Sequence, residues 1–190
     1  MFDDIFNEID MIKLQNLLRR NNQTITTAES CTGGLISSLI TRISGSSDIF
    51  NGSIVSYSNK IKNQELNVKN ETLTKYGAVS REVVEEMLDG VIKKFDANFA
   101  IAISGIAGPT GETKNKPVGT VVIGISNKKA HKIVAIYYFK GSREEIQIQA
   151  ARTSLKEIYK FIQNRFFFLI FLIYNLTWLC HMVVIILISL

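Results

Sequence analysis

The sequence predicts an α/β fold, a three-layer α/β/α sandwich with a mixed, mostly parallel sheet, and three observations predict it. Helical and strand patterns alternate from the N-terminus to residue 103, the order that lays helices over both faces of a sheet. Phe99 to Ile103 is continuously apolar, as a central strand covered on both faces must be. Two strand patterns, Val118 to Ile125 and His131 to Phe139, then follow each other with no helix between them, which adds an antiparallel edge.

Taken in order, residues 3 to 20 carry Ile5, Ile9, Ile12, Leu14, Leu17 and Leu18 near helical spacing. Asp3, Asp4 and Glu8 lead this helix and Arg19 and Arg20 close it, which complements its dipole. Thr24 to Ala28 is short and β-branched, a strand. Thr32-Gly33-Gly34 opens a helix with Leu35, Leu39, Ile40 and Ile43 as its apolar positions; Gly45-Ser46-Ser47 ends it, and Phe50 to Tyr57 forms the next strand. Lys60 to Leu66 and Glu71 to Tyr76 are short helices. Ser80 caps a longer one through Phe95, with Val83, Val84, Met87, Val91 and Ile92 on one face and Gly90 as a weak point. A glycine-rich and polar loop, Gly105 to Pro117, precedes the final strands, and a last helix runs from about Arg143 to Gln163.

Composition narrows the function. With 22 Lys and Arg against 17 Asp and Glu, the net charge of +5 is mild and lacks the concentrated basic stripe of a nucleic-acid binder. Two cysteines, Cys31 and Cys180, build no disulfide framework, and His131 and His181 are too few for a conventional zinc centre, so no metal is expected. The acidic start, Met1-Phe2-Asp3-Asp4, is unlike a secretory signal. Every charged residue lies at or before Arg165. From Phe166 to Leu190 only Asn175, Thr177, His181 and Ser189 are not apolar. The chain therefore divides into a domain over 1–164 and an apolar tail over 165–190.

The chemistry concentrates where strands end. In Thr26-Thr27-Ala28-Glu29-Ser30-Cys31-Thr32-Gly33-Gly34 a strand gives way to a helix; the N–H groups there favour an anion or an oxyanion. Ser30 and Cys31 are both candidate nucleophiles at that turn, and the competing reading is that Ser30 or Thr32 only caps the helix. A serine needs a base. Neither histidine suits: His131 begins a predicted strand and His181 lies in the tail. Lysine remains, provided burial or a neighbouring charge lowers its pKa; Lys60 and Lys62 both follow the strand that ends in Tyr57-Ser58-Asn59. Ser104-Gly105-Ile106-Ala107-Gly108-Pro109 follows the central strand and offers a second backbone loop at the same edge, either for a phosphate or sugar or simply as a tight turn. Arg143, just after Gly141-Ser142 at a helix start, offers a grip for a phosphate, and the competing reading is an exposed first-turn arginine.

Together these segments resemble the CinA C-terminal domain family, over about residues 4 to 163. The likeness also rests on Gly45-Ser46-Ser47, Gly77-Ala78-Val79-Ser80, Lys116-Pro117-Val118-Gly119-Thr120 and Gly141-x-Arg143. The resemblance implies a cytoplasmic, homodimeric serine amidohydrolase of pyridine nucleotide salvage, one that deamidates nicotinamide mononucleotide (NMN) without a cofactor. It assigns the nucleophile to Ser30 and the general base to Lys62 rather than Lys60. It gives positioning and oxyanion roles to Glu29, Thr32, Gly33, Gly34 and Tyr57, and substrate binding to Ser104, Gly105 and Arg143. Competing functions are a non-catalytic nucleotide-binding or regulatory module of the competence and damage-inducible type, or an amidase for another nucleotide amide.

There are two departures. Many members carry a larger domain ahead of this one, so the chain is expected to be the stand-alone form. A second basic residue often follows the position of Arg143; Gln147 and Ile148 stand there instead, which bears on phosphate affinity. The tail is long enough to span a bilayer, at about 1.5 Å per residue against about 30 Å. With Lys156, Lys160 and Arg165 before it, an anchor would leave the domain in the cytoplasm. The competing reading is a chain end altered by frameshift or read-through; an extra buried helix or dimer contact fits least.

Overall fold

The computed structural model describes residues 2–164. Its first unit spans Met1–Ile158. The second begins at Tyr159, and there residues 159–164 are helical. The apolar stretch 166–190 lies outside the described residues, and with it both readings of the tail. Among the described residues no helix is long and apolar enough to cross a membrane.

The elements are α1 (Glu8–Arg20), β1 (Ile25–Glu29), α2 (Leu35–Thr41), a 3-10 turn (Ser46–Asp48), β2 (Phe50–Val55), α3 (Asn59–Leu66), α4 (Asn70–Tyr76), α5 (Arg81–Phe95), β3 (Phe99–Gly105), β4 (Thr120–Asn127), β5 (Lys132–Tyr138) and α6 over 143–164. The strands form one sheet in the order β2-β1-β3-β4-β5. β2, β1 and β3 are mutually parallel, whereas β4 runs antiparallel to both β3 and β5. Four strands thus point one way and β4 alone is reversed, the mixed and mostly parallel sheet that the sequence predicts.

β1, β3 and β4 are buried nearly throughout, while β2 and β5 keep the half-exposed pattern of edges. Alternation divides β1 between two layers. Ala28 joins Ala100, Ala102 and Val122 under α5, in a core with Leu66 of α3 and Met87, Leu88 and Val91 of α5. Thr27 and Glu29 point to the opposite face, where Ser37 of α2 meets both. α1 reaches that layer through buried Gln15, whose Nε2 donates to the Ile40 carbonyl of α2.

Three expectations need correction. α1 starts at Glu8, not residue 3, because Asn7 and Asp10 cap it reciprocally: each side chain accepts the other's backbone N–H, at 3.0 and 3.2 Å. Its buried face is Met11, Leu14, Gln15 and Leu18, with Ile9 and Ile12 outward. α2 buries Ile36 and Ile40 rather than Leu35, Leu39 and Ile43, since Glu29 holds its first turn in a fixed rotation. Gly90 is no weakness. A Cβ there would lie 2.1 Å from the Leu66 carbonyl oxygen, so its absence is what lets α3 cross α5 so closely.

Candidate active site

β1, β2 and β3 end at one edge of the sheet, the place where open parallel sheets bind ligands. A cavity of about 390 Å³ opens there, lined among others by Ser30, Cys31, Tyr57, Lys62, Ser104, Gly105 and Arg143. Ser30 is the first residue past β1, and its N–H donates to the Ile103 carbonyl of β3 at 3.1 Å. α3 begins just after β2, capped by Ser58, whose hydroxyl accepts the Ile61 N–H. One turn later comes Lys62, 1% exposed although it is a lysine.

Lys62 Nζ lies 2.9 Å from Ser30 Oγ and 2.7 Å from the Ser56 carbonyl oxygen. Burial lowers its pKa from 10.5 to about 8, with nearby Cys31 opposing the shift. A neutral amine is therefore within reach near neutral pH; it would donate to Ser56 and accept the Ser30 proton. Cys31, also buried, has its thiol pushed up to about 12, chiefly by desolvation, and so is a poor source of thiolate. The geometry separates the two candidate nucleophiles in favour of Ser30.

Glu29 is fully buried and, among the described residues, has no cationic partner within ion-pair distance, yet its carboxylate is crowded with donors. Oε2 accepts from the Thr32 hydroxyl at 2.8 Å and from the N–H groups of Gly34 and Ile36 at 3.1 and 3.0 Å. Oε1 accepts from the Ser37 N–H at 2.8 Å and from the Ser37 hydroxyl. The carboxylate thus occupies the start of α2 in place of an external anion. Gly33 and Gly34 have φ of +62° and +98°, the left-handed backbone this turn needs. Their N–H groups are not open to a substrate: Gly33 donates to the Ser30 carbonyl and Gly34 to Glu29. That corrects the expectation of oxyanion donors at both glycines.

Arg143 bridges two walls of the cavity, donating to the Gly108 carbonyl and to the Tyr57 hydroxyl, each at 2.7 Å. Ser104 is buried and its hydroxyl donates to the Ala78 carbonyl, joining β3 to the turn before α5. Gly105 is there for close approach: a Cβ would meet Val121 Cγ2 at 2.7 Å and Cys31 Sγ at 3.0 Å. Lys60 is exposed, and His131 follows the β4–β5 turn at the other edge of the sheet, beside the Phe99–Asn127 pairing. Among the described residues no cluster of His, Cys, Asp and Glu could hold a metal.

Two contacts beside the Ser30–Lys62 pair escape sequence reasoning. Ser56 meets Lys62 through its carbonyl, which no side-chain motif reveals. Gln147 donates its Nε2 to the Cys31 carbonyl at 2.7 Å; in the sequence it registers only as an absent base.

A three-layer α/β/α domain with a buried serine–lysine pair at the end of its parallel strands is the class that fold and site define. The family model of the CinA C-terminal domain matches residues 10–162, and the chain belongs to that family. It is 46% identical over 149 residues to a CinA-like protein of Thermotoga neapolitana, covering 78% of this chain and 36% of that protein. It is 54% identical over 132 residues to a CinA-like protein of Prochlorococcus marinus strain AS9601, covering 70% and 31%. The chain thus spans about a third of the length of these relatives. Among solved structures, a CinA superfamily protein from Klebsiella pneumoniae 700603 matches with a TM-score of 0.78 at 30% identity, over 81% of this chain and 96% of that one. The competence/damage-inducible protein CihA from Agrobacterium tumefaciens matches with a TM-score of 0.73 at 37% identity, over 78% and 93%.

Proposed function

We propose that this domain is an amidohydrolase that converts NMN to nicotinate mononucleotide and ammonia, with Ser30 as nucleophile and Lys62 as general base. The observation that carries the reading is the 2.9 Å approach of a buried, deprotonatable lysine to a serine hydroxyl in an open cavity. Structural lysines are seldom buried with so few partners.

Ser30 Oγ adds to the carboxamide carbon as its proton passes to Lys62. The ammonium so formed returns that proton to the amide nitrogen, the C–N bond breaks, and ammonia leaves an acyl ester on Ser30. Water then adds to the ester carbon, giving its proton to Lys62. The bond to Oγ breaks, the proton returns to Ser30, and nicotinate mononucleotide departs. Arg143 meets the ribose phosphate, for which, among the described residues, only two of its five N–H groups have other partners, while Ser104 and Gly105 border the ribose. In line with what the family resemblance implies, the same reading puts the domain in the cytoplasm, as a homodimer that needs neither metal nor cofactor.

The test is ammonia release from NMN by the chain, with Ser30→Ala and Lys62→Ala beside it. Turnover lost in both variants supports the reading. A folded chain that binds NMN without turnover points instead to a nucleotide-binding module, and turnover only with other nucleotide amides moves the substrate assignment.

A further inference from the structure

The deamidation turns an uncharged carboxamide into a carboxylate at the same place, so the Ser30 cavity meets two nucleotides that differ by one negative charge. Among the described residues that line it, two are charged, Lys62 and Arg143, and both are cations. The carboxylate of Glu29 is turned away, held by Thr32, Gly34, Ile36 and Ser37 on the α2 side.

Lys62 is the cation beside the reacting group. Its Nζ lies 2.9 Å from Ser30 Oγ, the atom that must touch the carboxamide carbon. A carboxylate left on that carbon is therefore within reach of the same nitrogen. When protonated, Nζ carries three N–H groups. The Ser56 carbonyl accepts one at 2.7 Å and the Ser30 hydroxyl another. Among the described residues the third has no acceptor, and no Asp or Glu pairs with the ammonium. A buried charge so placed gains far more from an incoming anion than an exposed one does, because little water competes for it.

The neighbouring titratable groups leave Lys62 to the ligand. The turn after β1 brings Cys31, whose thiol burial keeps protonated, and the fully bonded Glu29. The end of β2 brings Tyr57 and α6 brings Arg143, which bond each other. α5, packed on α3, presents Met87, Leu88 and Val91 to the core; its Glu86 accepts from the Lys69 N–H and the Thr72 hydroxyl, and its Lys94 pairs with Glu65 of α3. Lys60, on α3 itself, is exposed.

We propose that protonated Lys62 is a carboxylate-binding site, so that the acid product occupies the cavity more tightly than the amide substrate and restrains turnover until it leaves. The inference rests on the NMN reading. The ammonium donates to the product carboxylate; when it gives its proton to solvent, the hold on the product is lost and the base for the next cycle is restored. Burial brings Lys62 down to about 8, so the ammonium predominates below that value and the preference for product fades above it. The product carboxylate stays ionised throughout, and the phosphate, common to both nucleotides, cancels from the comparison.

The experiment measures calorimetric binding of NMN and of nicotinate mononucleotide to the full chain carrying Ser30→Ala, which leaves NMN intact. Nicotinate mononucleotide is expected to bind about 10- to 100-fold more tightly than NMN two pH units below the lysine midpoint, and within about threefold of it two units above. Adding Lys62→Met should abolish the preference at both pH values. Equal affinities on the acid side, or a preference that survives Lys62→Met, overturns the proposal. If the chain with Lys62→Met does not fold, the pH dependence decides, and a preference undiminished on the alkaline side overturns the proposal. Equal binding of the two nucleotides leaves the NMN reading standing, whereas binding of neither sinks both.

Discussion

Two buried ionisable groups, Glu29 and Lys62, lie beside Ser30 and are treated in opposite ways. Around Glu29, five donors from Thr32, Gly34, Ile36 and Ser37 close on the carboxylate, so the charge is fully answered and works as architecture. Around Lys62, an equally buried amine meets one carbonyl and one hydroxyl, and desolvation brings its pKa down to about 8. A buried charge supplied with partners stabilises a turn; one left short of them becomes a reagent.

The largest effects test the reagent half. Ser30→Ala and Lys62→Met should each reduce NMN turnover by about 10⁴-fold, because the two side chains act as a unit. Lys62→Met should nevertheless leave stability unchanged or raise it by about 1 kcal/mol in urea unfolding, since it removes a buried amine without full compensation. A large loss of stability would place Lys62 with Glu29 as architecture and break the contrast.

Glu29→Gln tests the other half. One oxygen becomes an NH₂ facing donors, so unfolding should cost about 3 kcal/mol less than in the unaltered chain, with activity falling alongside. A stable variant that loses only turnover would make Glu29 a reagent as well.

Acidity sharpens the comparison. In the proposed mechanism the neutral amine is the base, so kcat/KM should rise about tenfold per pH unit below about 8 and level off above it. Stability should move the same way over a different window. The unfolded lysine titrates near 10.5 and the folded one near 8, so between those values the unfolded chain binds more protons and stability climbs with pH. Lys62→Met should flatten that climb.

Smaller effects are expected at the rim. Arg143→Gln should raise KM for NMN about tenfold while kcat changes less, since it removes one charge-assisted contact to the phosphate. Cys31→Ala should keep turnover within a few-fold and cost about 1 kcal/mol of stability by leaving a small void. Loss of turnover there, with Ser30→Ala still active, would exchange the nucleophiles.

Much of this was legible in the chain itself. Strand ends rich in glycine and small polar residues mark the edge where the Ser30 cavity opens, and the lack of a usable histidine points to lysine. What stayed hidden depends on backbone and rotation. The Ser56 carbonyl has no side-chain signature, and the committed N–H groups of Gly33 and Gly34 emerge only once Glu29 is seen to fold back on α2. The buried face of α2 is hidden for the same reason, because spacing alone does not reveal that a carboxylate fixes the helix's rotation. Gln147 was visible only as a charge that was missing, whereas its amide reaches a carbonyl distant in sequence.

The crossing at Gly90 has a practical side. Replacing helical glycines with alanine is a routine way to make a protein more heat-tolerant, often worth about 0.4–1 kcal/mol. Here the added methyl would strike the Leu66 carbonyl oxygen and push away the helix that carries Lys62. An alanine at Gly90 would therefore reach Lys62 through the helix that carries it, from a position that does not line the Ser30 cavity.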